Sequence, residues 1–159
     1  MILYEAVVCL HVLAAAVWIG SMAFFALVVV PVMRRADDRA AAARTLRAMA
    51  TRFRALGWVS LGVLAATGVA NLRFHRITLG YVASGELWTT SFGRALALKL
   101  AFLVAAVGVS VIHELLTPAD PEALVTARHR RLASWSGRLI LVLSLGALFF
   151  AVALVRGLP

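Results

Sequence analysis

The chain has 159 residues, of which 63% are hydrophobic and only 14% are charged, and its mean hydropathy is +0.95. A soluble domain uses about a quarter charged residues to cover its surface, so this composition excludes a soluble protein and indicates one that is integral to a lipid bilayer. The net charge of +9 does not indicate nucleic-acid binding, because the arginines cluster between apolar runs. Arginines placed in that way set the orientation of a membrane protein.

Four apolar runs are each long enough to cross a bilayer core, which needs roughly 17 to 25 helical residues. They predict an all-α integral membrane protein, a four-transmembrane-helix bundle, formed by a single domain over 1–159. The predicted spans are at about 4–33, 55–73, 94–116 and 136–156. Between the first two spans, the segment at about 36–54 is rich in alanine and arginine and predicts a cytoplasmic helix. Its arginines fit either a solvated face or contact with anionic headgroups, and the solvated face is favoured.

The first and third connections hold most of the basic residues. They are Arg34, Arg35, Arg39, Arg44, Arg47, Arg52 and Arg54 in the first, and Arg128, Arg130 and Arg131 in the third. Cytoplasmic loops are enriched in arginine and lysine, so both connections are expected inside and both chain ends outside, in the periplasm. This topology describes a multi-pass protein of the cytoplasmic (inner) membrane. Cys9 is the one cysteine, which excludes an intramolecular disulfide.

The first span carries an imidazole, His11, in an otherwise apolar run. At about 100° per residue, His11, Trp18, Met22 and Phe25 fall on one face of the helix. An ionisable group at membrane depth is costly and usually faces protein or a cofactor, so His11 is a candidate site residue. The alternative is a neutral histidine that is hydrogen-bonded to a neighbouring helix.

The second span is rich in small residues, which let helices approach closely and predict a central position in the bundle. Ser60, Thr67 and Asn71 lie on one face of it. The span leaves the membrane at His75, which is expected at or just beyond the outer interface. There an ordinary interfacial histidine is the alternative to a ligand.

The third span carries Lys99 in its outer half and His113 at its inner interface, fourteen residues apart on one polar stripe. Proline and aspartate at Thr117–Pro121 predict the end of this helix. The fourth span offers only Ser144 as an interior polar group, so it is expected to act as structural support or as the face of a homodimer.

Depth along the helices predicts one pocket in the outer half of the bundle. His11 and Lys99 both lie roughly 8 to 10 Å below the outer interface at a rise of about 1.5 Å per residue. His75 and Asn71 approach from the second helix, and Trp18 is expected to form the floor. For Lys99 the alternative is snorkelling to the headgroups.

The expected pocket combines imidazoles with an amine at low dielectric. Neutral imidazoles bind haem iron and copper, so His11 and His75 are the predicted metal ligands, with His113 as the alternative. Lys99 would act as a base or ligand when neutral, or hold a haem propionate when charged.

Short motifs occur along the chain in an order that resembles the membrane domain of copper-resistance D-type (CopD) proteins. They are Leu10-His11, Trp18-Ile19-Gly20, Val30-Pro31, Arg52-Phe53-Arg54-Ala55-Leu56-Gly57-Trp58, Thr67-Gly68 and Phe92-Gly93-Arg94-Ala95-Leu96-Ala97-Leu98-Lys99-Leu100. A weaker similarity, at His11, Trp18, Gly20 and Lys99, is to HemJ-type protoporphyrinogen oxidases. The first resemblance implies copper uptake or handling across the cytoplasmic membrane, and the second implies a small haem b protein.

Three functions are compatible with these features. The leading hypothesis is a CopD-like protein that binds haem b in its outer half, with His11 as an axial ligand, and exchanges electrons with a redox partner or quinone. Under this leading hypothesis the protein could act as a haem-dependent membrane oxidoreductase. The second is copper transport, in which His11, Cys9, Met22 and the stripe from Lys99 to His113 pass a copper ion inward. The third is a structural subunit of a membrane complex that uses the fourth helix as its interface.

Overall fold

The computed structural model describes residues 1–116 and 127–156 of the protein, and within these two ranges the backbone is helical between short turns, without a β-strand. The helices are α1 (Ile2–Phe24), a π-helical segment (Phe25–Val29), α2 (Val30–Arg34), α3 (Arg39–Phe74), α4 (Leu79–Ala83), α5 (Glu86–Thr89), α6 (Ser91–Leu116) and α7 (Ala127–Arg156). Four helical stretches of the described chain are long and apolar enough to cross a membrane: Ile2–Arg34, Ala40–Phe74, Ser91–Leu115 and Trp135–Val155. The predicted fold class, an all-α protein with four membrane-spanning helices, is confirmed.

The first span is one helical rod with a widened turn near its end. In the π-helical segment, Phe25–Val29, the N–H of Val30 bonds to the carbonyl of Phe25, five residues back. Pro31 follows directly, and proline has no N–H and crowds the carbonyl four residues before it. The wider turn relieves this crowding, so the helix continues to Arg34.

The predicted cytoplasmic helix and the second span form one continuous helix, α3, of 36 residues. Asp38 caps its first turn, since its Oδ1 accepts hydrogen bonds of 2.9 Å from the N–H groups of Ala40 and Ala41. The end is a Schellman motif, in which Arg76 has a φ of 57° and the N–H of Ile77 bonds to the carbonyl of Leu72. The two predicted segments join without a break, because no proline lies in this range and alanine and arginine favour helix.

The chain forms two compact units, Met1–Leu79 and Gly80–Pro159. In the first unit, α1 and α3 pack as an antiparallel hairpin. Tyr4 contacts Phe74 at one end, with ring centroids 5.4 Å apart, and Phe25 contacts Phe53 towards the other, at 5.3 Å. These aromatic pairs fix the alignment of the two helices along their whole contact.

In the second unit, α6 packs against α7. Ala106 is fully buried, and the rings of Phe102 and Phe150 pack with their centroids 5.6 Å apart. Ser144, the predicted interior polar residue of the fourth span, is buried and donates a hydrogen bond of 2.8 Å to the carbonyl of Ile140 on its own helix. The predicted helix end at Thr117–Pro121 lies outside the described residues, and a dimer face on α7 stays a prediction.

The start of α6 depends on a glycine. Thr90 caps the helix, because its Oγ1 accepts a hydrogen bond of 2.9 Å from the N–H of Gly93. The short α5 packs so closely here that a Cβ on Gly93 would lie 1.9 Å from the carbonyl oxygen of Leu87, a residue that is only 2% exposed. A side chain at this position therefore requires the backbone to move.

Replacing Gly93 by alanine is expected to destabilise the protein by about 1 to 3 kcal/mol, the usual range for overpacking. The matched control is Gly108→Ala on the same helix, where no atom lies within 4 Å of the added Cβ. The control should be neutral or stabilising by up to about 1 kcal/mol, since alanine favours helix over glycine. Unfolding of the purified variants in detergent measures both. Equal stability of the two variants would contradict this packing.

The expected orientation can be tested by cysteine labelling, after Cys9→Ser has removed the native thiol. We expect a membrane-impermeant maleimide to label Ser84→Cys in intact spheroplasts, because the second connection is predicted outside. Asp37→Cys in the first connection should react only after the membrane is opened. The reverse pattern would place the chain ends in the cytoplasm.

Candidate functional site

His11 is held by a hydrogen bond between the two long helices of the first unit. Its Nδ1 lies 2.7 Å from Oγ1 of Thr67, across the contact between α1 and α3. The Thr67 hydroxyl also donates to the carbonyl of Val63, at 2.6 Å. A hydroxyl has one proton, so with that proton given to Val63 it accepts from His11. With the Thr67 proton on Val63, Nδ1 of His11 carries a proton, and in the neutral imidazole the lone pair then lies on Nε2.

This contact is the helix-to-helix hydrogen bond that the sequence left as the alternative to a ligand role. The two roles are compatible, because a histidine that binds a metal through one nitrogen usually donates from the other. The Thr67 side chain is buried, and the His11 ring lies beside Gly68. These contacts therefore hold the imidazole ring in one direction.

Trp18 lies seven residues further along α1 than His11 and is only 7% exposed. Its ring packs on Gly57 of α3, where a Cβ would come within 3.1 Å of the ring. Glycine at this position has no side chain, and this leaves room for the indole against α3. Trp18 thus packs between the helices on the predicted face, although its role as the floor of a pocket stays a prediction.

Asn71 lies one turn after Thr67 on α3. Its Oδ1 is buried and has no hydrogen-bond partner among the described residues. An unsatisfied buried acceptor costs about 1 to 3 kcal/mol. Asn71 is thus a place where a bound group that carries an N–H or O–H would be stabilised.

His75 lies at the C-terminal end of α3, where its side chain is exposed and its ring meets the edge of Tyr4, with centroids 6.1 Å apart. It follows Thr67, the partner of His11, by eight residues, which corresponds to roughly 12 Å along the helix axis. The first unit therefore does not bring the imidazoles of His11 and His75 to a common centre. Among the described side chains, no three His, Cys, Asp or Glu residues group closely enough to hold a metal ion.

The second unit contains the other two predicted site residues. Lys99 is half-buried on α6, and its approach to His11 stays a prediction. His113 is fourteen residues, or roughly 21 Å, further along the same helix. Its Nδ1 lies 2.6 Å from Oγ of Ser136 on α7. The sequence did not single out Ser136, because one serine among small and basic residues carries no periodic signal.

Comparison with known proteins identifies one family. The family model named "Copper resistance protein D" (CopD) matches residues 47–156. This range includes Thr67, Asn71 and Lys99, and it begins after His11 and Trp18. A protein of Aquifex aeolicus, described as an "Uncharacterized protein", is 31% identical over 149 residues, which cover 93% of this chain and 92% of the relative. No solved structure matches the chain.

Removing the Thr67 hydroxyl is expected to release His11. In Thr67→Val, which keeps the shape of the side chain, the Nδ1–H of His11 loses its acceptor, and we expect a loss of about 0.6 to 2 kcal/mol in stability. Nitrogen NMR of histidine-labelled protein should show the Nδ1-protonated tautomer in the wild type and a changed tautomer population in this variant.

Thr67→Ser is the control, since it keeps the hydroxyl and should keep the wild-type histidine spectrum. A wild-type spectrum from Thr67→Val would show that the threonine does not set the tautomer.

Proposed function

Because the chain belongs to the copper resistance protein D family, we propose that it handles copper within the membrane and that His11 is a ligand for the ion. The observation that carries this proposal is the hydrogen bond from His11 Nδ1 to Thr67. This bond supports the proposal because an imidazole that donates from Nδ1 has its lone pair on Nε2 when it is neutral, and such a nitrogen is a good copper ligand. Thr67 is then the partner that orients the ligand.

The position of His11 supports a functional role. It is the one imidazole of α1, and its neighbours Leu10, Val12 and Leu13 are large apolar residues with about half or more of their surface exposed. Such neighbours suit a lipid environment, in which a polar residue is costly and is usually kept for function. A structural role alone would be met at lower cost by an apolar residue.

The spacing of possible donors favours a site that passes copper on over one that stores it. Met22 lies eleven residues after His11 on the same face, roughly 16 Å along the helix. The thioether of Met22 is a soft donor that suits Cu(I), but at that distance it belongs to a later position on the path. Because the described residues contain no cluster of three His, Cys, Asp or Glu, copper would bind His11 with few protein ligands. Weak, successive sites allow an ion to leave as well as to enter.

Haem b is the second candidate. An imidazole that is held through Nδ1 also suits an axial ligand of haem iron. In that case His11 would hold the iron, and the protein would require a redox partner or quinone to exchange electrons. Residues of the other helices, Lys99 among them, would complete the site.

The test is copper binding and uptake by the purified protein. We expect one copper ion per chain, with an affinity that falls at least tenfold in His11→Ala because a ligand is lost. Thr67→Val should weaken binding about 10- to 100-fold, the usual effect of removing the partner of a metal-bound histidine. Copper uptake into proteoliposomes should fall in both variants.

His75→Ala is the matched control, since it removes an exposed imidazole from the same unit and should bind copper as the wild type does. Full copper uptake by His11→Ala would contradict the proposal. Stoichiometric iron, together with a Soret band that is lost in His11→Ala, would identify haem b instead of copper as the bound group.

A further inference from the structure

The hairpin of the first unit is longer than a bilayer is thick. With 36 residues, α3 is about 54 Å long, whereas the hydrocarbon core is about 30 Å thick. The 17 residues of α3 from Leu56 to Leu72 are about the fewest that cross such a core. Residues 25–54, in which the end of the first span meets the start of α3, are called the hairpin tip below, and the far end of this tip extends beyond the core.

The hairpin tip is strongly basic. Residues 25–54 contain seven arginines against two aspartates, Asp37 and Asp38, and Asp38 caps α3. The arginine side chains of the hairpin tip whose exposure is described all lie open on the surface: Arg34, Arg35, Arg44, Arg47, Arg52 and Arg54. The hairpin tip therefore presents a positive surface.

The hairpin tip also exposes large apolar side chains. Leu27 is 72% exposed, Val32 55% and Val28 45%. These residues lie in the π-helical segment and α2, and the π-helical segment packs against α3 through the contact of Phe25 with Phe53. The apolar and basic surfaces consequently belong to one packed body. A solvated cytoplasmic helix pair would not keep large apolar residues in water beside its arginines.

We propose that the hairpin tip lies in the membrane interface and binds anionic phospholipid headgroups. Leu27, Val28 and Val32 contact acyl chains, while Arg44 and Arg47 on α3 bind lipid phosphates. The guanidinium group suits phosphate because its N–H donors form a planar fork that matches two phosphate oxygens. The exposed apolar residues favour lipid over a soluble anion, since only a lipid offers a phosphate and a hydrocarbon chain together.

The test uses the full-length protein in detergent and compares two double variants. The hairpin-tip variant is Arg44→Gln with Arg47→Gln, and the control is Arg73→Gln with Arg94→Gln, two exposed arginines outside the tip. Native mass spectrometry measures how many lipids are retained, and thermal unfolding measures stabilisation by phosphatidylglycerol or phosphatidylcholine. We expect the wild type and the control to prefer phosphatidylglycerol, and the hairpin-tip variant to bind it at least threefold more weakly.

The substitutions Arg44→Lys and Arg47→Lys together keep the charge and should keep most of the preference, which separates lipid binding from a folding defect. Equal effects of the two lipids on the wild type would overturn the proposal. So would equal binding by the hairpin-tip variant and the control, or stabilisation by inorganic phosphate as large as that by phosphatidylglycerol.

Discussion

The hydrogen bond between His11 and Thr67 links the two long helices of the first unit across their contact. A threonine within a helix commonly donates its proton to a carbonyl one turn back, and Thr67 does so with Val63. Its remaining lone pair is then available to the imidazole of α1. This one contact holds the histidine ring in one direction.

The same contact belongs to an alignment that places other residues of the hairpin. With His11 opposite Thr67, Tyr4 meets Phe74 at one end and Phe25 meets Phe53 at the other. Trp18 fits against Gly57 between them because glycine leaves room for the indole. Asn71 is then left with a buried oxygen that no described residue satisfies. The proposed copper ligand, His11, thus contacts α3 about one helical turn away from an unsatisfied acceptor.

The sequence predicted the number and type of the spans well, since long apolar runs identify segments that contact lipid. It did not predict that residues 39–74 form a single helix. The apolar run shows where lipid contact ends, but alanine and arginine continue a helix equally well outside the membrane. Periodicity placed His11 and Thr67 each on a marked face, yet it could not show that the two faces meet. That pairing depends on how the helices align, which the aromatic contacts at the hairpin ends determine. His75 was predicted at the correct end of its helix, but a rise of about 1.5 Å per residue separates it from the level of His11.

X-ray absorption at the copper edge of the copper-loaded protein tests the central claim most directly, because it identifies the atoms bound to the metal. We expect scattering from an imidazole ring in the wild type and in His75→Ala, and the loss of that scattering in His11→Ala. Copper bound to His11→Ala with the same imidazole signal as the wild type would contradict it.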